Sequence, residues 1–263
     1  GNCFDTARHY GDAALVFGEW MWERGVREDT VVITKGAHTP ECNPAAVTRQ
    51  LDESLERLQT DFIDIYFLHR DNTRVPVGEF VDVLNEHKDA GRIGVFGGSN
   101  WSLERTDEAN EYADKNGLSG FSVLSNHMSL ARMVEAPWDG CLAASDAESR
   151  AWLAEQQMPL FPWSAQARGF FVHGRAGVDL LDDPELVRCW YSDDNFERLA
   201  RVRSIAEKQG VDAVSVALAY VLNQQSPTFP LMGPVSVEEA RSSLAALDVE
   251  LSSDDVQWLN LEV

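Results

Sequence analysis

An α/β architecture is predicted here, a (β/α)8 TIM barrel that is incomplete in this chain, with about seven of its eight strands. Three observations predict it. Short runs rich in β-branched and aromatic residues alternate with segments of helical periodicity almost throughout. Polar residues stand at or just past the ends of successive runs: Asp5 after Cys3-Phe4, Lys35 after residues 31–34, His69 after residues 62–68. That is the rim where a (β/α) barrel keeps its chemistry. Finally, no internal repeat or low-complexity linker interrupts the alternation, so residues 1–263 read as one domain.

The elements follow in order. After the opening strand, residues 12–25 carry an apolar stripe at Leu15, Val16, Phe17, Trp20 and Met21 and stop at a glycine. Strand 31–34 precedes a helix over 44–58, started by Asn43 as cap and Pro44 in the first turn. Strand 62–68 leads to helix 77–90, which stops at Gly91. Strand 93–96 runs into Gly97-Gly98-Ser99-Asn100 and helix 103–115, ended by Asn116-Gly117. Strand 121–124, helix 147–156 and strand 160–163 come next, then an irregular stretch over 164–195. Helices 196–209 and 214–223, strand 228–231, helix 237–247 and helix 253–259 finish the chain. An eight-fold barrel needs one further unit of roughly 30 residues. Either the barrel is open where its last strand meets its first, or, the favoured expectation, this unit precedes Gly1 in a longer polypeptide, cut or excised at its amino end, with the chain following another segment or fused to one.

Composition narrows the function classes. The chain holds 22 basic and 43 acidic residues, a formal charge of −21. A field of that sign disfavours nucleic acid and anionic membranes as partners. No run of eighteen apolar residues suggests a transmembrane helix, and the first residues lack a signal-peptide pattern. Cys3, Cys42, Cys141 and Cys189 are widely spaced and form no ligand cluster, as expected of reduced thiols in a cytoplasmic protein. His87, His127 and His173 show no metal spacing, and no metal is expected.

Asp5, Tyr10, Lys35 and His69 on one rim suit movement of a proton. A lysine ammonium beside a tyrosine favours the phenolate and eases proton donation. An aspartate keeps that lysine charged and aimed, and a histidine across the pocket orients a carbonyl oxygen. The array fits carbonyl reduction, with Tyr10 as general acid, Lys35 as its tuner, Asp5 as the partner of Lys35 and His69 as orienter. Asp5 and Lys35 alone read as a buried structural ion pair, the commoner fate of such residues; Tyr10, His69 and Ser99-Asn100 beside them favour the chemical reading.

At this spacing the residues resemble the aldo-keto reductase family. Phe4-Asp5-Thr6-Ala7 with Tyr10-Gly11, Thr34-Lys35 and Leu68-His69-Arg70 match its catalytic motifs, and residues 91–102 resemble its strand ending in a Ser-Asn pair. The resemblance implies a nicotinamide cofactor, a small-molecule carbonyl substrate (aldehyde, ketone or sugar), and an oxidoreductase. By resemblance, Ser99 and Asn100 hold the nicotinamide carboxamide. Trp163 stacks on its ring within Trp163-Ser164-Ala165-Gln166-Ala167-Arg168-Gly169, which brings Ser164, Gln166 and Arg168 to the cofactor. Gly233, Pro234, Ser236 and Glu239 belong to the segment closing over the adenosine phosphate end.

Two departures from the family pattern stand out. Ser125 occupies the position of a glutamine that usually meets the carboxamide, with Asn126 as the alternative donor. No Lys or Arg precedes Arg241 in the last segment, whereas Glu238 and Glu239 repel a 2′-phosphate, so NAD(P)H is implied with a lean to NADH. His38, Trp101 and Trp138 are the candidates for the substrate pocket, and Trp190 and Tyr191 for a lid. A competing expectation is a nucleotide-binding regulatory or sensor module of the same fold with little turnover.

Overall fold

Parallel strands β1 (Cys3–Asp5), β2 (Val31–Gly36), β3 (Ile63–Leu68), β4 (Ile93–Ser99) and β5 (Val123–Ser125) lie in sequence order in one sheet. Helices α1 (Ala13–Arg24), α2 (Pro44–Leu58), α3 (Val77–Asp89) and α4 (Leu103–Asn116) alternate with them. This is the parallel α/β arrangement of repeated βα units, in a computed structural model that describes all 263 residues. The chain divides into two compact units, residues 1–125 and 126–263.

In the first unit β2 and β3 are buried almost throughout, on both faces, whereas the edge strand β1 is largely exposed. Val32, Ile33, Phe67, Leu68 and Phe96 pack with Val47 and Leu51 of α2 and Phe80, Val81 and Leu84 of α3 in the buried core. The helix boundaries have local causes. The Asn43 side chain accepts from the Ala46 N–H at 3.0 Å with Pro44 in the first turn, and Ser102 caps α4 by accepting from the Arg105 N–H at 3.2 Å. Asp64, a carboxylate inside an otherwise apolar strand, accepts from the Val32 N–H and from Arg27, each at 2.9 Å. Arg27 also donates to the carbonyls of Thr30 and Phe62, tying β2 to β3 at their amino ends. The strands are thereby fixed in register before their carboxyl ends reach the rim.

The second unit is mostly helical: α5 (Ala147–Gln156), α6 (Pro184–Trp190), α7 (Asp193–Gln209), α8 (Ala213–Leu222), α9 (Val237–Leu244) and α10 (Ser253–Leu259). Helix α8 is buried from Ser215 to Val221, so it is apolar on every side and sits inside the unit's core with Phe170, Trp190, Val202 and Leu259.

Two expected strands are not strands. Segments 160–163 and 228–231 meet through a single parallel bridge, Leu160 to Thr228. The Leu160 N–H donates to Pro227 O and the Phe229 N–H to Leu160 O, each at 2.8 Å, and the Leu231 N–H donates to Pro162 O at 3.0 Å. Pro162 has no N–H to return to Phe229 O and Pro227 none to give Met158 O, so the bridge lacks the next donor on each side and does not grow into a ladder. The stretch expected to be irregular over 164–195 contains α6, with Asp183 as cap and Pro184 in its first turn, and α7 starts at Asp193, ahead of the expected Phe196. The apolar stripe of α6 is too short to show a period.

Where β4 pairs with β5, Gly97 faces Val123, and a Cβ on Gly97 would lie 1.7 Å from the Val123 carbonyl oxygen. Backbone cannot yield there. Gly97→Ala is expected to destabilise the protein by about 3 kcal/mol or more in denaturant unfolding; a loss below about 0.5 kcal/mol would show that the strands need no such approach.

Candidate active site

The sheet register assembles the first group. Asp5 pairs with Ile33, and Lys35, two residues further along β2, points to the same face. Leu68 pairs with Gly36, and the His69 N–H donates to Gly36 O at 2.6 Å, holding His69 one step beyond the end of β3. The loop after β1 is anchored by the Arg8 N–H, which donates to Lys35 O at 2.9 Å, and folds through a turn closed by the Tyr10 N–H on Ala7 O. Asp5, Tyr10, Lys35 and His69 are therefore brought together by strand order alone.

Lys35 is 1% exposed and forms an ion pair with Asp5, whose side chain is 17% exposed. Its ammonium also lies 5.3 Å from the centre of the Tyr10 ring. Burial opposes the charge on Lys35, but Asp5 and Tyr10 outweigh it and hold the ammonium's pKa above its ordinary 10.5. Burial lifts Asp5 above the usual carboxylate range, with Lys35 pulling it back. Tyr10 keeps 43% of its surface open and stands edge-on to His69, ring centres 5.6 Å apart. Burial, then the neighbouring Lys35, Arg70, His38 and His9, push His69 well below 6.5, so its imidazole is neutral at pH 7. Its Nδ1 is buried without a partner.

Arg8, His9, Lys35, Gly36, His38, Thr39, Pro40, Glu41, Arg49, Gln50 and His69 line a cavity of about 220 Å³. His9 and His38 stack at 4.2 Å with planes 3° apart, and His69 stands edge-on to His38 at 4.8 Å. Arg8, Arg49 and Gln50 were not among the residues singled out by sequence. Gln50 carried a readable signal, being a polar side chain on the buried face of α2 among Val47, Leu51 and Ser54. No group of three or more His, Cys, Asp or Glu side chains is arranged to hold a metal ion.

At the end of β4, Ser99 and Asn100 are buried and converge on Ser125. The Ser99 hydroxyl donates to Ser125 O at 2.9 Å, the Asn100 N–H to the same oxygen at 3.3 Å, and Asn100 Nδ2 to Ser99 Oγ at 3.1 Å. Asn100 adopts φ +58°, a left-handed conformation that Asn tolerates. Amide and hydroxyl groups gathered at a strand end are a donor and acceptor set that fits a carboxamide. Trp101 is placed differently from expectation. It is fully buried between Phe80 and Phe121, with Arg105 over its ring, and presents no face to a pocket.

In the second unit, Trp163 lies beside His127 at 4.9 Å and Trp138 at 6.1 Å, and its carbonyl accepts from His127 Nδ1 at 3.0 Å. Ser164 is left-handed, as are Ala167 and Arg168, which turns the chain sharply. Arg168 lies over the half-exposed Trp138 and is paired with Glu185 at 2.8 Å, while Gln166 Nε2 donates to Ser243 Oγ at 3.1 Å. Gly233 and Pro234 are exposed ahead of α9. Ser236 caps that helix by accepting from the Glu239 N–H at 3.1 Å, and the Glu239 carboxylate accepts from the Val235 N–H at 2.9 Å. Trp190 is buried in the unit's core and Tyr191 packs against that core, so neither forms a lid.

The motifs are matched by the model of the aldo/keto reductase family, over residues 1–260. The chain belongs to the aldo/keto reductase family. It is therefore an oxidoreductase of that family. Norsolorinic acid reductase of Aspergillus flavus is 26% identical over 99% of this chain and 67% of its own length. An aryl-alcohol dehydrogenase of Pestalotiopsis microspora is 27% identical over 98% of this chain and 67% of its own. Among solved structures, an aldo/keto reductase from Klebsiella pneumoniae in complex with NADP and acetate has a TM-score of 0.74 at 22% identity, covering 99% of this chain and 80% of that one.

Like His69, His38 and His87 are held below 6.5 by burial first, and burial lowers His127 to about 4. Below pH 6.5 the unfolded chain binds protons that the folded chain refuses, so stability falls as pH drops. For each of the deeply buried His69 and His127 the loss reaches about 1.4 kcal/mol per pH unit. Unfolding free energies measured by urea denaturation at pH 7.5 and 5.5 are expected to be lower at 5.5; equal values would contradict the neutral, buried imidazoles.

Proposed function

We propose that this chain reduces an aldehyde, ketone or sugar carbonyl with a nicotinamide cofactor. The observation that carries the reading is the ammonium of Lys35 held between Asp5 and Tyr10, beside a neutral His69. The bound cofactor supplies the hydride. Tyr10, whose side chain is partly open to solvent, delivers the proton to the carbonyl oxygen, and Lys35, kept charged by Asp5, stabilises the phenolate left behind. Neutral His69 donates a hydrogen bond to the same carbonyl oxygen and orients it without adding a charge that would compete with Lys35.

For cofactor binding the proposal assigns Ser99, Asn100 and Ser125 to the carboxamide, and Trp163 to the nicotinamide face with Ser164, Gln166 and Arg168 around it. Gly233, Pro234, Ser236 and Glu239 are assigned to the adenosine end. A preference for NADH is supported by the start of α9, where the Glu239 carboxylate already takes a backbone donor and Glu238 adds like charge. The Klebsiella reductase, by contrast, was solved with NADP. The proposal extends to a single (β/α)8-type domain and, given four free thiols, to a cytoplasmic setting.

Steady-state turnover of benzaldehyde with NADH and NADPH, paired with cofactor titration by tryptophan fluorescence, tests this. Wild type is expected to turn over with NADH as the better reductant, and Tyr10→Phe to lose about 10²–10⁴-fold in kcat while cofactor affinity holds. A Tyr10→Phe enzyme within a few-fold of wild type would overturn the assignment of the acid.

A further inference from the structure

The lining of the 220 Å³ cavity states what kind of substrate it takes, given the reductase reading above. A cavity of 150 Å³ is known to hold a benzene ring, so this one holds a molecule of about one ring. Its cations are all matched. Lys35 is paired with Asp5, Arg8 with Glu53, and Arg49 with both Glu41 at 2.8 Å and Glu53 at 3.6 Å. Three cations therefore meet three carboxylates, and a carboxylate on the substrate would have to displace one of them. The lining does not select for an anion.

Most of its hydrogen-bonding groups are also committed. Gln50 Oε1 accepts from the Ala37 N–H at 2.8 Å, and Gln50 Nε2 donates to Glu41 at 3.4 Å. The imidazoles are less committed: His9 makes ring contacts alone, His69 Nδ1 has no partner, and the ring whose tautomer its own bond fixes is His38. Its Nδ1 lies 2.8 Å from the Thr39 carbonyl oxygen, which can only accept, so the ring proton is on Nδ1. A neutral ring with its proton on Nδ1 leaves Nε2 as an acceptor, and no protein donor reaches it. The ring stays neutral at pH 7 because burial comes first, with Arg70 and the stacked His9 adding to it, against the single opposing bond to Thr39. His9 fixes the ring's tilt by stacking 3° from parallel, and His69 meets it edge-on, so Nε2 is held in place.

We infer that the pocket selects a neutral, hydroxyl-bearing carbonyl compound of about one-ring size, whose hydroxyl donates to His38 Nε2. His38 is thus a specificity-determining residue, distinct from the residues that move the proton.

The test compares 3-hydroxybenzaldehyde, benzaldehyde and 3-carboxybenzaldehyde in wild type, His38→Leu and His38→Gln. Wild type is expected to favour the hydroxylated aldehyde over benzaldehyde by roughly tenfold in kcat/KM, one good hydrogen bond's worth, mainly through KM, with the carboxylated one no better than benzaldehyde. In His38→Leu the ratio of hydroxylated to plain aldehyde falls towards one. In His38→Gln, whose side-chain oxygen accepts, part of it returns. Calorimetric binding of the same three aldehydes to each protein reads the preference without turnover. Turnover of none of them would remove the reductase reading and leave the calorimetric ratio to decide the inference. A ratio unchanged in His38→Leu, or a wild type that favours the carboxylated aldehyde, would overturn it.

Discussion

The buried ion pair between Lys35 and Asp5 is the constraint on which the rest of the site depends. An ammonium 1% exposed to solvent is expensive to bury, and it is tolerated only because a carboxylate from the neighbouring strand meets it. That pairing requires β1 and β2 to run parallel in a fixed register. A slip of one residue would turn Lys35 to the opposite face of the sheet. The Arg27–Asp64 contact fixes the next register, between β2 and β3, at their amino ends. Local charge chemistry and sheet geometry therefore specify each other.

From that pair the neighbouring properties follow. Asp5 and Tyr10 help Lys35 keep its charge, and that charge is one reason that His69 stays neutral. The pocket beside them is polar yet balanced, because each cation brought to the rim carries its own carboxylate. In a chain with a formal charge of −21, acidic partners are abundant, and the basic residues at the site are spent on internal pairing rather than on capturing anions.

Much of this was legible in the sequence for physical reasons. The four residues Asp5, Tyr10, Lys35 and His69 could be read because strand ends are marked by the change from β-branched runs to polar residues, and parallel order brings successive ends together. The cap at Asn43-Pro44 fixed the start of α2, and that helix, α5 and α10 have the bounds their patterns indicate. What could not be read depends on side-chain packing or on backbone donors. The apolar runs at 160–163 and 228–231 look like strands, but Pro162 and Pro227 strip the pairing of its next ladder bonds. Trp101 follows the Ser-Asn pair, yet the space between Phe80 and Phe121 draws it into the core. The His9–His38 stack joins residues 29 positions apart in two loops, and no local pattern announces it.

A double-mutant cycle on Asp5 and Lys35, read by both unfolding free energy and turnover, tests the central claim most directly. Asp5→Asn and Lys35→Met singly are expected to cost about 3–5 kcal/mol each, since each strands a buried charge. The double variant should cost clearly less than their sum, with turnover lost in all three. Additive costs, or a double variant that keeps its turnover, would show that the pair neither holds the fold nor serves the chemistry.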